Sequence, residues 1–102
     1  MKPKKSVRWQ RPAREDLTEI VVYIARQSDP PTAERFAERL MERAEDLAYF
    51  PYAGEVCPHY RKARQLPFGN FVIYYTVHRS EVVIRAVVRG ARLFRSWWLR
   101  RE

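Results

Sequence analysis

The run from Phe71 to Arg89 constrains this chain more than any other stretch. Phe71, Ile73, Tyr75 and Val77 alternate with Val72, Tyr74 and Thr76, a period of two rich in aromatic and β-branched residues that suits a strand. Val82, Ile84, Ala86 and Val88 then alternate with Val83, Arg85, Val87 and Arg89. Between the runs, His78-Arg79-Ser80-Glu81 fits a short hairpin loop built on a type I turn. Strict alternation places Arg85 and Arg89 on one face of the second strand. If helices cover the other face, both arginines are open to an anion.

With 102 residues, 46% of them hydrophobic and only three glycine, the chain is expected to fold as a single globular domain over 1–102. No apolar run approaches the ~20 residues of a membrane span. The opening MKPKKSVRWQ is basic but precedes no apolar segment, so it does not read as a secretory signal. Cys57 is the only cysteine, which excludes an internal disulfide and suits a reducing cytoplasm. Cys57 and His59 form a Cys-x-His pair, two ligands with no second pair nearby, so no metal site and no cofactor is expected.

The net charge of +8 is unevenly spread. Residues 1–14 carry six basic groups and no acid, residues 15–49 carry a net of −5, and residues 50–102 a net of +7. An acidic helical layer against a basic sheet layer favours an anionic partner on one side, either nucleic acid or an acidic protein segment.

In chain order, Ser6 to Gln10 reads as a short first strand. Pro12 suits the first position of a helix, with Glu15 and Asp16 complementing the dipole in its first turn. Leu17, Ile20, Val21 and Ile24 give that helix one apolar face as far as Arg26. Ser28-Asp29-Pro30-Pro31 ends it, and Asp29 or Thr32 can cap the next helix. That second helix, Thr32 to Tyr49, carries the stripe Ala33, Phe36, Ala37, Leu40, Ala44, Leu47 and Ala48. Its outer surface alternates glutamate and arginine at spacings that allow Arg35–Glu38, Arg39–Glu42 and Arg43–Asp46 pairs, a solvated face rather than a functional one. The two helices form an antiparallel αα-hairpin. Residues 50–60 read as a loop, Tyr60 to Leu66 as a strand and Pro67-Phe68-Gly69-Asn70 as a turn. After Arg92, the tail LFRSWWLRRE is a final short helix or strand.

The expected fold is therefore α+β, in the order β-α-α-β-β-β, with an antiparallel sheet and an αα-hairpin on one face. The other face is expected to be positively charged. This order resembles the RelE/ParE toxin superfamily of bacterial type II toxin–antitoxin modules, over nearly the whole length. The resemblance rests on Ala13, Asp16, Leu17 and Ile20 with Tyr23-Ile24-Ala25; on Ala33, Phe36 and Leu40; on Leu47, Pro51 and Gly54; and on FVIYYTV, VVIRAV and the closing Gly90-Ala91-Arg92. It is closer to the ParE branch, whose closing segment is commonly His-Gly-Ala-Arg; here Arg89 stands in place of that histidine.

The resemblance implies a cognate antitoxin as partner in a hetero-oligomer, no membrane, and DNA gyrase or the ribosome as target. RelE-like members cleave messenger RNA in the ribosome with sheet arginines and lysines and a titratable residue in the tail. For that chemistry Arg61, Lys62, Arg64, Arg89 and Arg92 are the cations available. The tail after Arg92 offers tryptophan, which exchanges no proton near neutral pH; His59, Tyr60 and His78 lie elsewhere. ParE-like members bind gyrase and need a surface instead. Arg64, Arg85, Arg89 and Arg92 with Phe94, Trp97 and Trp98 supply arginine interleaved with aromatics, as interface hot spots favour. The residues thus point to gyrase binding, with ribosome-dependent cleavage as the alternative. A plain nucleic-acid-binding module lacks support from either an RNP-type aromatic pair or a basic recognition helix.

Overall fold

The computed structural model describes residues 4–58 and 60–90. The chain runs through β1 (Ser6–Trp9), α1 (Arg11–Gln27), α2 (Pro30–Glu45), a 3-10 turn (Asp46–Ala48), β2 (Glu55–Val56), β3 (Ala63–Phe68), β4 (Phe71–Val77) and β5 (Glu81–Arg89). The closing element expected after Arg92 lies outside the described residues, as do His59, Arg92, Phe94, Trp97 and Trp98.

The five strands form one sheet in the order β1-β5-β4-β3-β2. The α+β class and the αα-hairpin are as expected, but the sheet gains a strand and is mixed where a wholly antiparallel one was expected. A short β2 forms where a loop was expected, pairing Glu55 and Val56 antiparallel to Gln65 and Arg64. The first strand joins in parallel to β5, from Ser6 opposite Glu81 to Trp9 opposite Ile84. Parallel pairing needs a long connection, which the helix pair and the three-strand meander supply. A bidentate contact of Arg8 with Glu81 (3.1 and 3.2 Å) ties the two strands together at the surface.

Helix α1 starts one residue earlier than the pattern implied, so Pro12 occupies its second position and Glu15 and Asp16 fall beyond its first turn. The Asp16 carboxylate therefore serves the sheet rather than the helix dipole: it accepts a hydrogen bond from the Val87 N–H at 3.0 Å. Helix α2 likewise starts at the prolines, which sit in its first turn where their missing donor is harmless. Asp29 is its cap, accepting from the Thr32 N–H at 2.8 Å, and that bond holds the carboxyl below its ordinary range. On the outer face of α2 none of the three expected ion pairs closes among the described residues; Arg35 donates instead to Thr32 Oγ1. Exposed long side chains gain little from such pairing against their lost rotamer freedom.

The main core lies between the helices and the sheet. Ala13, Leu40, Ala44 and Leu47 meet Leu66, Ile73, Tyr75, Val82, Ile84 and Val87, all buried. Phe36 stands edge-on to both Phe68 and Phe71, at 5.6 and 5.3 Å between ring centroids. The β3–β4 turn is tighter than expected. Pro67 lies within β3 opposite Val72, beyond the reach of β2, so its missing N–H disrupts no ladder. Gly69 and Asn70 alone turn the chain, and the φ of +58° at Gly69 is one that glycine adopts freely.

One departure changes how the arginines are placed. Tyr74 pairs with Ala86 while Tyr75 pairs with Ile84, leaving Arg85 as an extra residue on β5. This is a β-bulge. Consecutive residues on β4 point to opposite faces, so Ile84 and Ala86 do too, and the alternation inverts at Arg85. Val82 and Ile84 face the helices, and beyond the bulge so do Val87 and Arg89. The expectation that Arg85 and Arg89 share a face is corrected: a period of two cannot register an inserted residue.

The far face of the sheet is corrected as well. Rather than a continuous cationic surface, it carries a second apolar cluster of Cys57, Ala63, Tyr74 and Ala86, with Tyr60, Val72 and Val88 packed against it. Tyr74 faces this cluster and Tyr75 the helix-side core, and both are buried.

The bulge and α1 meet at Asp16, past the point where β1 stops pairing with β5. Replacing Asp16 with alanine leaves the Val87 N–H without that acceptor, and we expect urea denaturation to show a loss of about 1–3 kcal/mol. The neighbouring exposed Glu15→Ala should change stability by no more than about 0.5 kcal/mol.

Candidate functional site

Each sheet arginine is held by a different element. Arg64 on β3 is half-buried and faces the helix side, opposite Tyr75. Its Nη1 donates to the Gly54 carbonyl at 2.7 Å, and its guanidinium lies 4.8 Å from the centroid of the Tyr52 ring. Gly54 also donates its N–H to the Tyr75 hydroxyl at 2.9 Å, and that hydroxyl donates to the Pro51 carbonyl at 2.9 Å. Only glycine fits at position 54: a Cβ there would lie 2.6 Å from the Gln65 carbonyl oxygen and 2.8 Å from the Tyr75 hydroxyl. The loop after α2 is thus stapled to the sheet by one arginine and one buried phenol.

Arg89 lies at the far end of β5. Its Nη2 donates to the Tyr23 hydroxyl of α1 at 3.0 Å, and its guanidinium sits 4.8 Å from the centre of that ring. Tyr23 and its neighbour Val22 are exposed, as is Met41 on α2. Arg64 is opposite Tyr75 and Arg89 opposite Phe71, four residues apart on β4. That separates the two backbones by roughly 13 Å along the strand and about 10 Å across it.

The other expected cations are also dispersed. Arg85 is half-buried at the bulge, while Arg61 and Lys62 are exposed in the turn before β3. Of the titratable candidates, Tyr60 packs against the second apolar cluster. His78 is exposed in the β4–β5 loop, with Nε2 2.9 Å from Thr76 Oγ1.

A feature that pattern reading missed lies beside Arg64. A cleft of about 1060 Å³ opens where the end of α2, the start of β1 and the β4–β5 loop converge. Tyr49, Phe50 and Tyr52 are 60%, 67% and 61% exposed there. Lys4, Lys5, Arg43 and Arg79 line it, and no carboxylate does among the described residues. Lys5 Nζ donates to the carbonyls of His78 and Arg79, both at 2.8 Å, and so holds the loop against the first strand. The Lys4 ammonium lies 5.6 Å from the Tyr49 ring centre. The sequence signal was an aromatic run, Tyr49-Phe50-Pro51-Tyr52, in what reads as a plain loop.

Burial raises the pKa of the Tyr75 phenol, outweighing the Gly54 hydrogen bond and the nearby Arg64 and Arg43; burial also raises that of Tyr74, with Cys57 adding to it. A raised pKa means the folded state holds the proton more tightly than the unfolded chain. That contribution is complete below the ordinary tyrosine value of about 10 and is lost as pH rises from there through the folded value. The urea midpoint should therefore fall above about pH 10. Tyr75→Phe should lower stability at neutral pH by about 1–3 kcal/mol, since it strands the Gly54 N–H and Pro51 carbonyl. It should also flatten the alkaline decline by the share belonging to Tyr75.

Comparison with known proteins agrees with this architecture. Residues 7–94 match the family described as the ParE toxin of the type II toxin–antitoxin system, parDE. Among solved structures, the fold is similar to a chain of the chromosomal ParDE toxin–antitoxin system from P. aeruginosa, with a TM-score of 0.78 and 22% identity over 87% of this chain and 99% of that one. It is also similar to a chain of the toxin–antitoxin complex RelBE2 from Mycobacterium tuberculosis, with a TM-score of 0.65 and 23% identity over 84% of this chain and 98% of the other. No curated protein matches by sequence. At these identities the solved structures speak for the fold alone, whereas the family match spans most of the chain. The chain belongs to the ParE toxin family of type II toxin–antitoxin systems.

Proposed function

We infer that this toxin acts by binding a protein target, DNA gyrase, rather than by cutting RNA. The observation that carries this reading is the dispersal of the arginines. Cleavage at a phosphate needs cations and a proton carrier converging within hydrogen-bond reach. Arg64 is committed to the loop carbonyl of Gly54 and to Tyr52, while Arg89 leans on Tyr23 at the other end of the sheet. Arginine stacked on an exposed tyrosine suits an interface anchor. On this reading Arg89 and Tyr23, with Arg85, Arg92, Phe94, Trp97 and Trp98, contribute to contacts with target or antitoxin, and the toxin works in the cytoplasm.

The proposed second partner is an antitoxin that neutralises it. Support comes from the two similar structures, which belong to a ParDE system and a RelBE2 toxin–antitoxin complex. The helix pair also supports it, with Val22, Tyr23 and Met41 exposed on it and Arg89 lying over the Tyr23 ring. A segment both apolar and acidic, ordering as it docks, matches that surface.

Purified toxin should inhibit gyrase supercoiling and leave translated messenger RNA intact. Arg89→Ala should weaken inhibition about tenfold, the effect of losing one interface anchor of about 1.4 kcal/mol. Unimpaired supercoiling together with messenger RNA cut during in vitro translation would overturn the reading in favour of the ribosome.

A further inference from the structure

The cleft at the end of α2 takes its lining charge from cations other than the sheet arginines, with Arg64 only backing the Tyr52 ring, and the geometry points to it as a binding site for single-stranded nucleic acid. Its bases would stack on Tyr49, Phe50 and Tyr52, and its phosphates would be held by Lys4, Arg43 and Arg79.

Three exposed aromatics within four residues, flanked by cations, are what such a strand requires: flat faces for unstacked bases and positive charge following the backbone. All three rings keep more than half of their surface open, although a soluble domain ordinarily covers large aromatics. The charge is one-sided, with four basic residues lining the cleft and no carboxylate among the described residues. The guanidinium groups of Arg43 and Arg79 make no hydrogen bond or ion pair among the described residues, so neither charge is committed elsewhere. The acid closest to Arg79 in sequence, Glu81, is held by Arg8.

The walls are also pre-shaped. Lys5 pins the Arg79 loop to the first strand, and the Tyr75 hydroxyl with Gly54 pins the loop that carries the aromatics. Little ordering remains to be done on binding. A peptide would more often seek an unpaired strand edge for its main chain. Here the backbone that enters the first strand at the cleft is already engaged, since the Lys5 N–H donates to the Ala48 carbonyl at 3.0 Å. A duplex hides the base faces that the rings could use.

The test is fluorescence anisotropy of the full-length toxin with labelled oligothymidylate and oligouridylate of about 12 nucleotides, beside a duplex of equal length and an acidic peptide containing phenylalanine. Both single strands should bind, more tightly than duplex or peptide, and the tighter of the two identifies the natural polymer. With three or four phosphates engaged, affinity should fall roughly 20- to 50-fold between about 50 and 200 mM salt. Tyr49→Ser and Phe50→Ser should each weaken binding about fivefold or more, since each removes a stacking platform. Arg79→Glu should weaken it while Arg39→Glu, the same change of charge on the outer face of α2, should not. All four positions are exposed, and an unchanged far-ultraviolet circular dichroism spectrum verifies folding. The proposal is overturned if no single strand binds, if duplex or peptide is preferred, or if Arg39→Glu does as much damage as Arg79→Glu. None of these outcomes bears on gyrase inhibition, which is measured separately.

Discussion

The one extra residue that β5 carries within its pairing to β4 governs how this sheet presents its chemistry. Backbone pairing forces side chains to alternate, and inserting Arg85 between the Tyr74–Ala86 and Tyr75–Ile84 pairs reverses that alternation. Val87 then returns to the helix-side core, and Arg89 emerges beside α1 instead of over the far face. A bulge disturbs the ladder around it, and the acceptor on α1 lies close by. Asp16 takes the Val87 N–H, so helix placement and strand geometry are mutually dependent. The same step leaves Ala86 on the far face, where its small side chain joins Cys57, Ala63 and Tyr74 in the second apolar cluster.

A second dependency runs through Tyr75. Its ring fills the core while its hydroxyl satisfies two backbone groups of the loop after α2. A buried phenol without partners would be costly; with these it becomes a tie between sheet and loop. Arg64 reinforces the tie from the neighbouring strand. An arginine that sequence alone offers as a free cation is therefore partly engaged in architecture. The rigid loop, in turn, holds Tyr49, Phe50 and Tyr52 out of the core.

Charge in this protein is sorted by layer more than by patch. The outer face of α2 mixes glutamate and arginine, and among the described residues no ion pair closes there. The basic excess of the sheet layer reaches the surface in several places rather than one. Arg89 lies beside α1, Arg61 and Lys62 lie before β3, and Arg79 joins Lys4, Lys5 and Arg43 at the cleft. Such separation suits recognition by distinct partners on distinct surfaces better than it suits chemistry at one atom.

From the sequence alone came the class, the paired helices with their buried stripe, the central hairpin and the family. Each of these rests on local periodicity or on motifs in a set order, which neighbouring residues express together. Asp29 was legible as one of two caps for the same reason. Tertiary structure alone decided the rest. The parallel seat of β1 depends on a partner about 75 residues away, and only that seat brings Lys4 and Lys5 to Arg79 and the aromatic loop. The bulge depends on register between two strands, so alternation read along one strand placed Arg85 and Arg89 together when they are apart. Asp16 looked like a helix-dipole residue because its acceptor role exists only once α1 lies across β5. Local pattern determines what each segment becomes; which side chains meet is settled by pairing across the sheet.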